Sequence, residues 1–153
     1  MSAERVENTI SRLEKLMYGH NYQVKFGLQI FENCYNLDDF KRKLKQVYKN
    51  SRPEEVKFIQ LTEADLWEDI DFALNYRGDS SAGLSLSEGK EKLLKEEQEK
   101  YKAFIKQYIN KETVIYSYPD EEGIPGYAVF WDFRFIVFTN DNKCLFIFGA
   151  SSD

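Results

Sequence analysis

The chain has few of the residues that usually build metal or nucleophilic sites. Its 153 residues include one histidine and two cysteines. His20, Cys34 and Cys144 lie far apart in the sequence, and one histidine with two separated thiols does not make a zinc site of the usual kind. Each cysteine sits within an element that apolar residues flank, which favours two buried free thiols over a disulfide and suits a reducing compartment. The sequence therefore predicts no metal and no cofactor.

Long hydrophobic runs are also missing. No apolar stretch approaches the roughly 20 residues that a membrane-spanning helix needs. The first ten residues, MSAERVENTI, carry acidic side chains where a signal peptide has basic and then apolar ones. We expect a cytoplasmic protein without a membrane partner.

The chain has no excess of basic residues. It has 21 lysines and arginines against 26 aspartates and glutamates, a net charge of −5. This balance disfavours nucleic-acid binding, which depends on cations that displace counterions from phosphates. Residues 54–79 contain eight acidic and two basic side chains, a local net charge of −6. A surface of that sign favours a basic protein partner.

A serine-containing loop is the only segment that resembles a catalytic motif. The run Gly78 to Gly83, GDSSAG, is superficially similar to the GDSAGG nucleophile turn of some hydrolases. That turn needs a preceding strand and small residues around its serine, but here a helical pattern precedes it and Ala82 replaces the second glycine. His20 also comes before the serine, whereas that family has its histidine after it. We interpret Arg77–Gly89 as a loop, expect no catalysis by Ser80, and favour a protein that is not an enzyme.

Aromatic residues, by contrast, are plentiful near the C-terminus. The run Tyr127 to Gly149, YAVFWDFRFIVFTNDNKCLFIFG, contains two strand-like segments around the polar turn Asn140–Lys143, and predicts a β-hairpin in the core. Upstream patterns predict helices that begin after Ser2, Asn36, Thr62 and Ser87, and strands at Val24–Ile30, Val56–Leu61 and Thr113–Tyr118. The sequence therefore predicts one α+β domain over residues 1–153. In it about four helices pack on a mainly antiparallel sheet that ends in the aromatic hairpin.

Acidic residues are concentrated on the helix that follows Thr62. Its apolar stripe of Leu66, Ile70 and Leu74 has to face the core, so the carboxylates point outward. We predict that they form a partner-binding surface; a solvated acidic face and a magnesium or calcium site are the alternatives. The five candidate residues are Glu63, Asp65, Glu68, Asp69 and Asp71.

Two charges in the first aromatic strand form a second candidate site. Alternation along Tyr127–Thr139 puts Asp132 and Arg134 on the same face as Phe130. Charges are rarely buried without a partner, so these residues form either a simple intrastrand ion pair or the polar part of a pocket lined by Phe130, Asp132 and Arg134.

The closing segment, WDFRFIVFTNDNKCLFIFGASSD, resembles the C-termini of small immunity proteins from bacterial polymorphic-toxin systems. In those proteins a paired aromatic strand with a Gly-Ala-Ser-Ser-Asp-like tail follows a helical front half. The resemblance implies a stoichiometric inhibitor that binds a partner toxin, often a basic nuclease, and has no catalytic residues of its own. One alternative is a small-molecule-binding or enzymatic domain with a pocket near Asp132 and Arg134; another is a structural accessory protein or homodimer.

Overall fold

The computed structural model describes residues 3–78 and 84–153, which contain four α-helices and five β-strands. The helices are α1 (Ala3–Leu16), α2 (Leu37–Val47), α3 (Glu63–Asn75) and α4 (Glu88–Lys106). The strands are β1 (Gln23–Glu32), β2 (Ile59–Leu61), β3 (Val114–Ser117), β4 (Trp131–Phe138) and β5 (Lys143–Ser152). Within this part of the chain, no helix is both long and apolar enough to cross a bilayer.

The five strands form one antiparallel sheet in the order β1-β5-β4-β3-β2. The C-terminal strand β5 pairs along its whole length with the N-terminal strand β1, from Gln23 opposite Ser152 to Glu32 opposite Lys143. Its other edge pairs with β4 and completes the predicted hairpin. The α+β class and the antiparallel sheet are thereby confirmed.

Both faces of the sheet are covered, because β4 alternates large apolar residues on its two sides. Trp131, Phe133 and Phe135 belong to a core built with α1, α3 and α4. Ile136 and Phe138 belong to a second core on the other face, together with Phe40 and other residues of α2. A strand with apolar residues on both sides is typical of the middle of a sheet, and β4 lies there.

Three helices begin at the predicted polar residues, because a side-chain oxygen there accepts a hydrogen bond from a backbone N–H of the first turn that has no partner within the helix. Asn36 accepts from the N–H of Asp39 at 2.9 Å. Ser87 accepts from the N–H of Lys90 at 3.4 Å, and α4 then continues to Lys106. Thr62 precedes α3 in the same way.

Several element boundaries differ from the predictions. The strand expected at Val56–Leu61 is only Ile59–Leu61, because Pro53–Glu55 forms a 3₁₀ turn and the N–H of Val56 donates to the Pro53 carbonyl instead of to a neighbouring strand. Strand β4 begins at Trp131 instead of Tyr127. Before it, the N–H groups of Val129 and Phe130 both donate to the Ser151 carbonyl, at 2.7 and 3.3 Å, so the strand alternation fails there. Strand β5 runs past Gly149 to Ser152, and α4 ends at Lys106 before the expected Asn110.

Candidate functional site

Helix α3 starts with a reciprocal capping pair. The N–H of Asp65 donates to Oγ1 of Thr62 at 3.2 Å, and the N–H of Thr62 donates to Oδ2 of Asp65 at 3.0 Å. Such a pair satisfies two backbone donors that the helix itself cannot satisfy. The rest of the helix is fixed by its buried stripe, which packs against the sheet and holds the opposite face toward solvent: Leu66, Ile70, Ala73 and Leu74.

The solvent side of α3 combines carboxylates with one aromatic ring. Asp65, Glu68, Asp69 and Phe72 are exposed, and their spacings of three and four residues bring them to one side of the helix. The side chain of Phe72 is 59 % exposed, although its ring contacts that of Tyr76. We call these four residues the α3 face.

The five predicted carboxylates do not all serve one surface. Glu63 accepts a hydrogen bond from Nε1 of Trp67 at 2.9 Å, and Asp65 caps the helix. Asp71 lies to the side, where its carboxylate accepts from Nζ of Lys102 in α4 at 2.6 Å. Glu68 and Asp69 remain, and within residues 3–78 and 84–153 no lysine or arginine forms an ion pair with either. These two carboxylates are therefore free to meet another molecule.

Phe72 was not among the predicted site residues. This residue is three positions after Asp69 and four after Glu68, and it falls outside the stripe formed by Leu66, Ile70 and Leu74. Helical spacing alone would have placed a large aromatic ring among the outward-facing carboxylates.

Like charges crowd around Asp69. Partial burial raises the pKa of its carboxyl group, and the neighbouring charges of Glu68, Asp65 and Asp132 raise it further. Asp132 belongs to β4, which contacts α3. The fold thus brings Asp132, which the sequence analysis assigned to a second site, into electrostatic range of the α3 face. Clustered negative charge of this kind favours the approach of a positively charged group.

The predicted pocket of Phe130, Asp132 and Arg134 does not form. Arg134 donates from Nη1 to Asp132 at 2.6 Å and from Nε to the Tyr118 carbonyl at 2.9 Å, so the two charges make the intrastrand pair that was the alternative. Phe130 precedes the strand and packs instead against the rings of Tyr22 and Tyr76, in the core on the opposite face. The cavity that Arg134 lines has a volume of only about 10 Å³, too small for a small-molecule ligand.

A cleft of about 570 Å³ lies between the end of α3 and α4. Charges of both signs pair off within it: Lys102 with Asp71, and Arg77 with Glu91 at 3.6 Å. Its floor is fixed by Gln98, whose side-chain amide donates to the Leu74 carbonyl at 2.6 Å. These paired groups link the end of α3 to α4, so the described lining residues indicate helix-to-helix packing.

The remaining chemical hypotheses concern metals and the serine loop. Among the described residues, no group of three or more histidine, cysteine, aspartate or glutamate side chains is arranged to hold a metal ion. Ser80 and the rest of residues 79–83 lie outside the described residues.

Two aspartates of the α3 face are expected to affect stability in opposite directions. Hydrogen bonds from Thr62 hold the pKa of Asp65 below its ordinary value, so its charge stabilises the fold at neutral pH and this contribution is lost as the pH falls through the lowered pKa. The pKa of Asp69 is raised, so its charge destabilises the fold at neutral pH and protonation relieves that cost. At pH 7, Asp69→Asn should raise the melting temperature by about 1 °C, and Asp65→Asn should lower it.

Melting curves of both variants at neutral pH and below the ordinary carboxyl pKa of 3.8 check this prediction. The two variants remove the same charge from the same helix, so each controls for the other. The difference between them should shrink in acid. Shifts of the same sign at neutral pH would contradict the assignment.

Comparisons with known proteins concern the fold alone. No protein-family model matches the chain, and no curated protein matches it significantly. Two solved structures of citrus MAF1, from different crystal forms, are similar in architecture. One has a TM-score of 0.52 and covers 94 % of this chain and 98 % of its own; the other has a TM-score of 0.59 and covers 99 % of both. Each is 13 % identical in sequence. The chain therefore shares its overall fold with citrus MAF1.

Proposed function

We propose that the chain is a non-catalytic protein-binding domain that recognises a basic partner through the α3 face. The observation that supports this proposal most is the crowding of carboxylates around Asp69. Their mutual repulsion destabilises the folded state. Glu68 and Asp69 form no ion pair with any described lysine or arginine, and their mutual repulsion contributes to the raised pKa of Asp69. A positively charged partner would remove that repulsion on binding.

Phe72 supports the same proposal. Protein interfaces combine a few aromatic anchors with a polar, charged rim. The ring of Phe72 stands exposed between carboxylates, which provides one apolar anchor inside an acidic rim. The carboxylates would chiefly increase the association rate, while burial of the ring would chiefly slow dissociation.

A narrower form of the proposal follows from the resemblance to immunity proteins. In that form the chain is a cytoplasmic inhibitor in a bacterium, and its basic partner is a toxin that it neutralises by stoichiometric binding. The resembling segment consists of β4, the turn and β5, most of whose side chains are buried. The resemblance therefore concerns core residues, and the contact surface has to come from elsewhere, such as the α3 face.

A capture experiment with matched variants tests the proposal. The face variant is Glu68→Gln/Asp69→Asn/Phe72→Ala. The control is Leu93→Ala/Glu96→Gln/Glu99→Gln on α4, which likewise removes two exposed carboxylates and one exposed apolar side chain. The parent chain and both variants are immobilised at low salt and exposed to a lysate of the source cells.

We expect at least one basic protein to be retained by the parent and by the control and lost from the face variant. Circular dichroism should show that all three chains are folded. The proposal fails if every retained protein binds all three chains equally, because binding would then not depend on the α3 face.

A further inference from the structure

The two cysteines, 34 and 144, are distant in the sequence but meet in the fold. Strand β1 pairs with β5 so that Phe31 lies opposite Cys144. After the strand, Asn33 adopts a left-handed backbone with φ of 51°, and the chain turns back over the sheet. The N–H of Cys34 then donates to the Asn142 carbonyl at 3.0 Å, which fixes Cys34 beside the start of β5.

The thiols of this pair are neighbours in the core. Both side chains are free thiols, buried on the α2 side of the sheet, and each lies close enough to shift the pKa of the other. Two neighbouring buried thiols need only a local rearrangement to form one covalent bond. Both cysteines are buried free thiols, as predicted, but nothing in the sequence indicates that they are neighbours.

The two thiols differ in chemical character. The hydrogen bond from the Cys144 thiol lowers the pKa of Cys34, because it stabilises the thiolate. Burial raises the pKa of Cys144, and the Cys34 charge raises it further. Since the thiolate is the nucleophile in thiol chemistry, Cys34 is suited to react first and Cys144 to react second.

Cys34 also has the easier path to solvent. It is a single buried residue between exposed neighbours, since Glu32, Asn33, Tyr35 and Asn36 are all exposed. Local opening of this turn exposes the sulfur of Cys34 without breaking a strand pairing beyond the end of β1. Cys144 lies on β5, between β1 and β4, and stays covered.

We propose that Cys34 and Cys144 form a reversible oxidation site that a low-molecular-weight disulfide of the glutathione class converts to an intramolecular disulfide. The Cys34 thiolate attacks one sulfur of the oxidant, forms a mixed disulfide and expels one thiolate. Cys144 then attacks the Cys34 sulfur and expels the second thiolate, which takes up the proton of Cys144 as it leaves. The protein loses two electrons and two protons, and the oxidant gains them as two free thiols. The product joins the turn before α2 to β5.

The test uses the purified full-length chain, reduced and then incubated with excess oxidised glutathione. After acid quenching, denaturation and alkylation, intact mass spectrometry should show a monomer that has lost two hydrogens and carries no alkyl group. Because the new bond closes a loop of more than a hundred residues, the oxidised protein should melt about 5–10 °C above the reduced form, and a dithiol reductant should reverse the shift.

Single-cysteine variants separate the two roles. Cys144→Ser should accumulate one glutathione on Cys34, whereas Cys34→Ser should stay reduced over the same time. The proposal is overturned if the parent chain retains two alkylatable thiols, gains a glutathione on each cysteine, or forms only disulfide-linked dimers. The parent measurement decides the matter even if a variant fails to fold.

Discussion

Removal of residues 144–153 is expected to leave no cooperatively folded protein. These residues make up nearly all of β5, the strand that joins β1 to the rest of the sheet. Leu145, Phe146, Ile147 and Phe148 are all buried. Burial of four such side chains contributes roughly 6–12 kcal/mol, which is comparable with the whole stability of a typical domain.

Circular dichroism and thermal melting of the truncated chain check this expectation. A chain that lacks only Ser152 and Asp153 is the matched control. Ser152 is the last residue of the strand and Asp153 follows it, and both are at least partly exposed. The control should keep its sheet and melt cooperatively. A soluble 1–143 fragment that also melts cooperatively would show that β5 is not essential to the core.

Replacement of Gly27 by alanine is expected to destabilise the protein by about 1–3 kcal/mol, the usual cost of an overpacked core. Gly27 lies on β1 opposite Phe148, and a Cβ atom there would lie 1.9 Å from Cζ of that buried ring. The ring therefore has to move, and its neighbours restrict it. Gly89→Ala in the first turn of α4 is the control: no atom lies within 4 Å of the added carbon, so we expect a gain of about 0.5–1 kcal/mol.

Urea denaturation of Gly27→Ala, Gly89→Ala, Phe148→Leu and the double variant Gly27→Ala/Phe148→Leu measures these effects. If the clash is with Phe148, the double variant should lose less free energy of unfolding than the two single changes combined. Strict additivity would mean that Gly27 is required for another reason.

Local sequence patterns predicted the elements well because each depends on neighbouring residues. Asn36 and Thr62 accept the first-turn N–H groups of α2 and α3, as their spacing to Asp39 and Asp65 indicated. Alternation along the aromatic run puts Trp131, Phe133, Phe135 and Val137 on one face and Ile136 and Phe138 on the other, and the structure buries the two sets in different cores. Alternation failed at Phe130, where two N–H groups share one carbonyl and no sequence pattern marks that exception.

Long-range pairing was not visible in the sequence. Nothing in the sequence of β5 indicates that it lies between β4 and β1. The residues of β1 that pair with β5 are more than a hundred positions away in the sequence. The proximity of Cys34 to Cys144 could not be predicted either, because it follows from the same long-range pairing. The five carboxylates of α3 looked equivalent in the sequence. In the structure Lys102 of α4 forms an ion pair with Asp71, and the charge of Asp132 in β4 raises the pKa of Asp69.

The association rate with a purified partner tests the central claim most directly. The partner is a protein retained by the parent and control chains in the capture experiment, and its binding is followed at increasing sodium chloride. For the parent and for the α4 control, the rate should fall steeply with salt, because ions screen the attraction to the α3 face. For Glu68→Gln/Asp69→Asn/Phe72→Ala the rate at low salt should be about tenfold lower and should depend little on salt. Equal rates and equal salt dependence for all three chains would contradict binding through the α3 face.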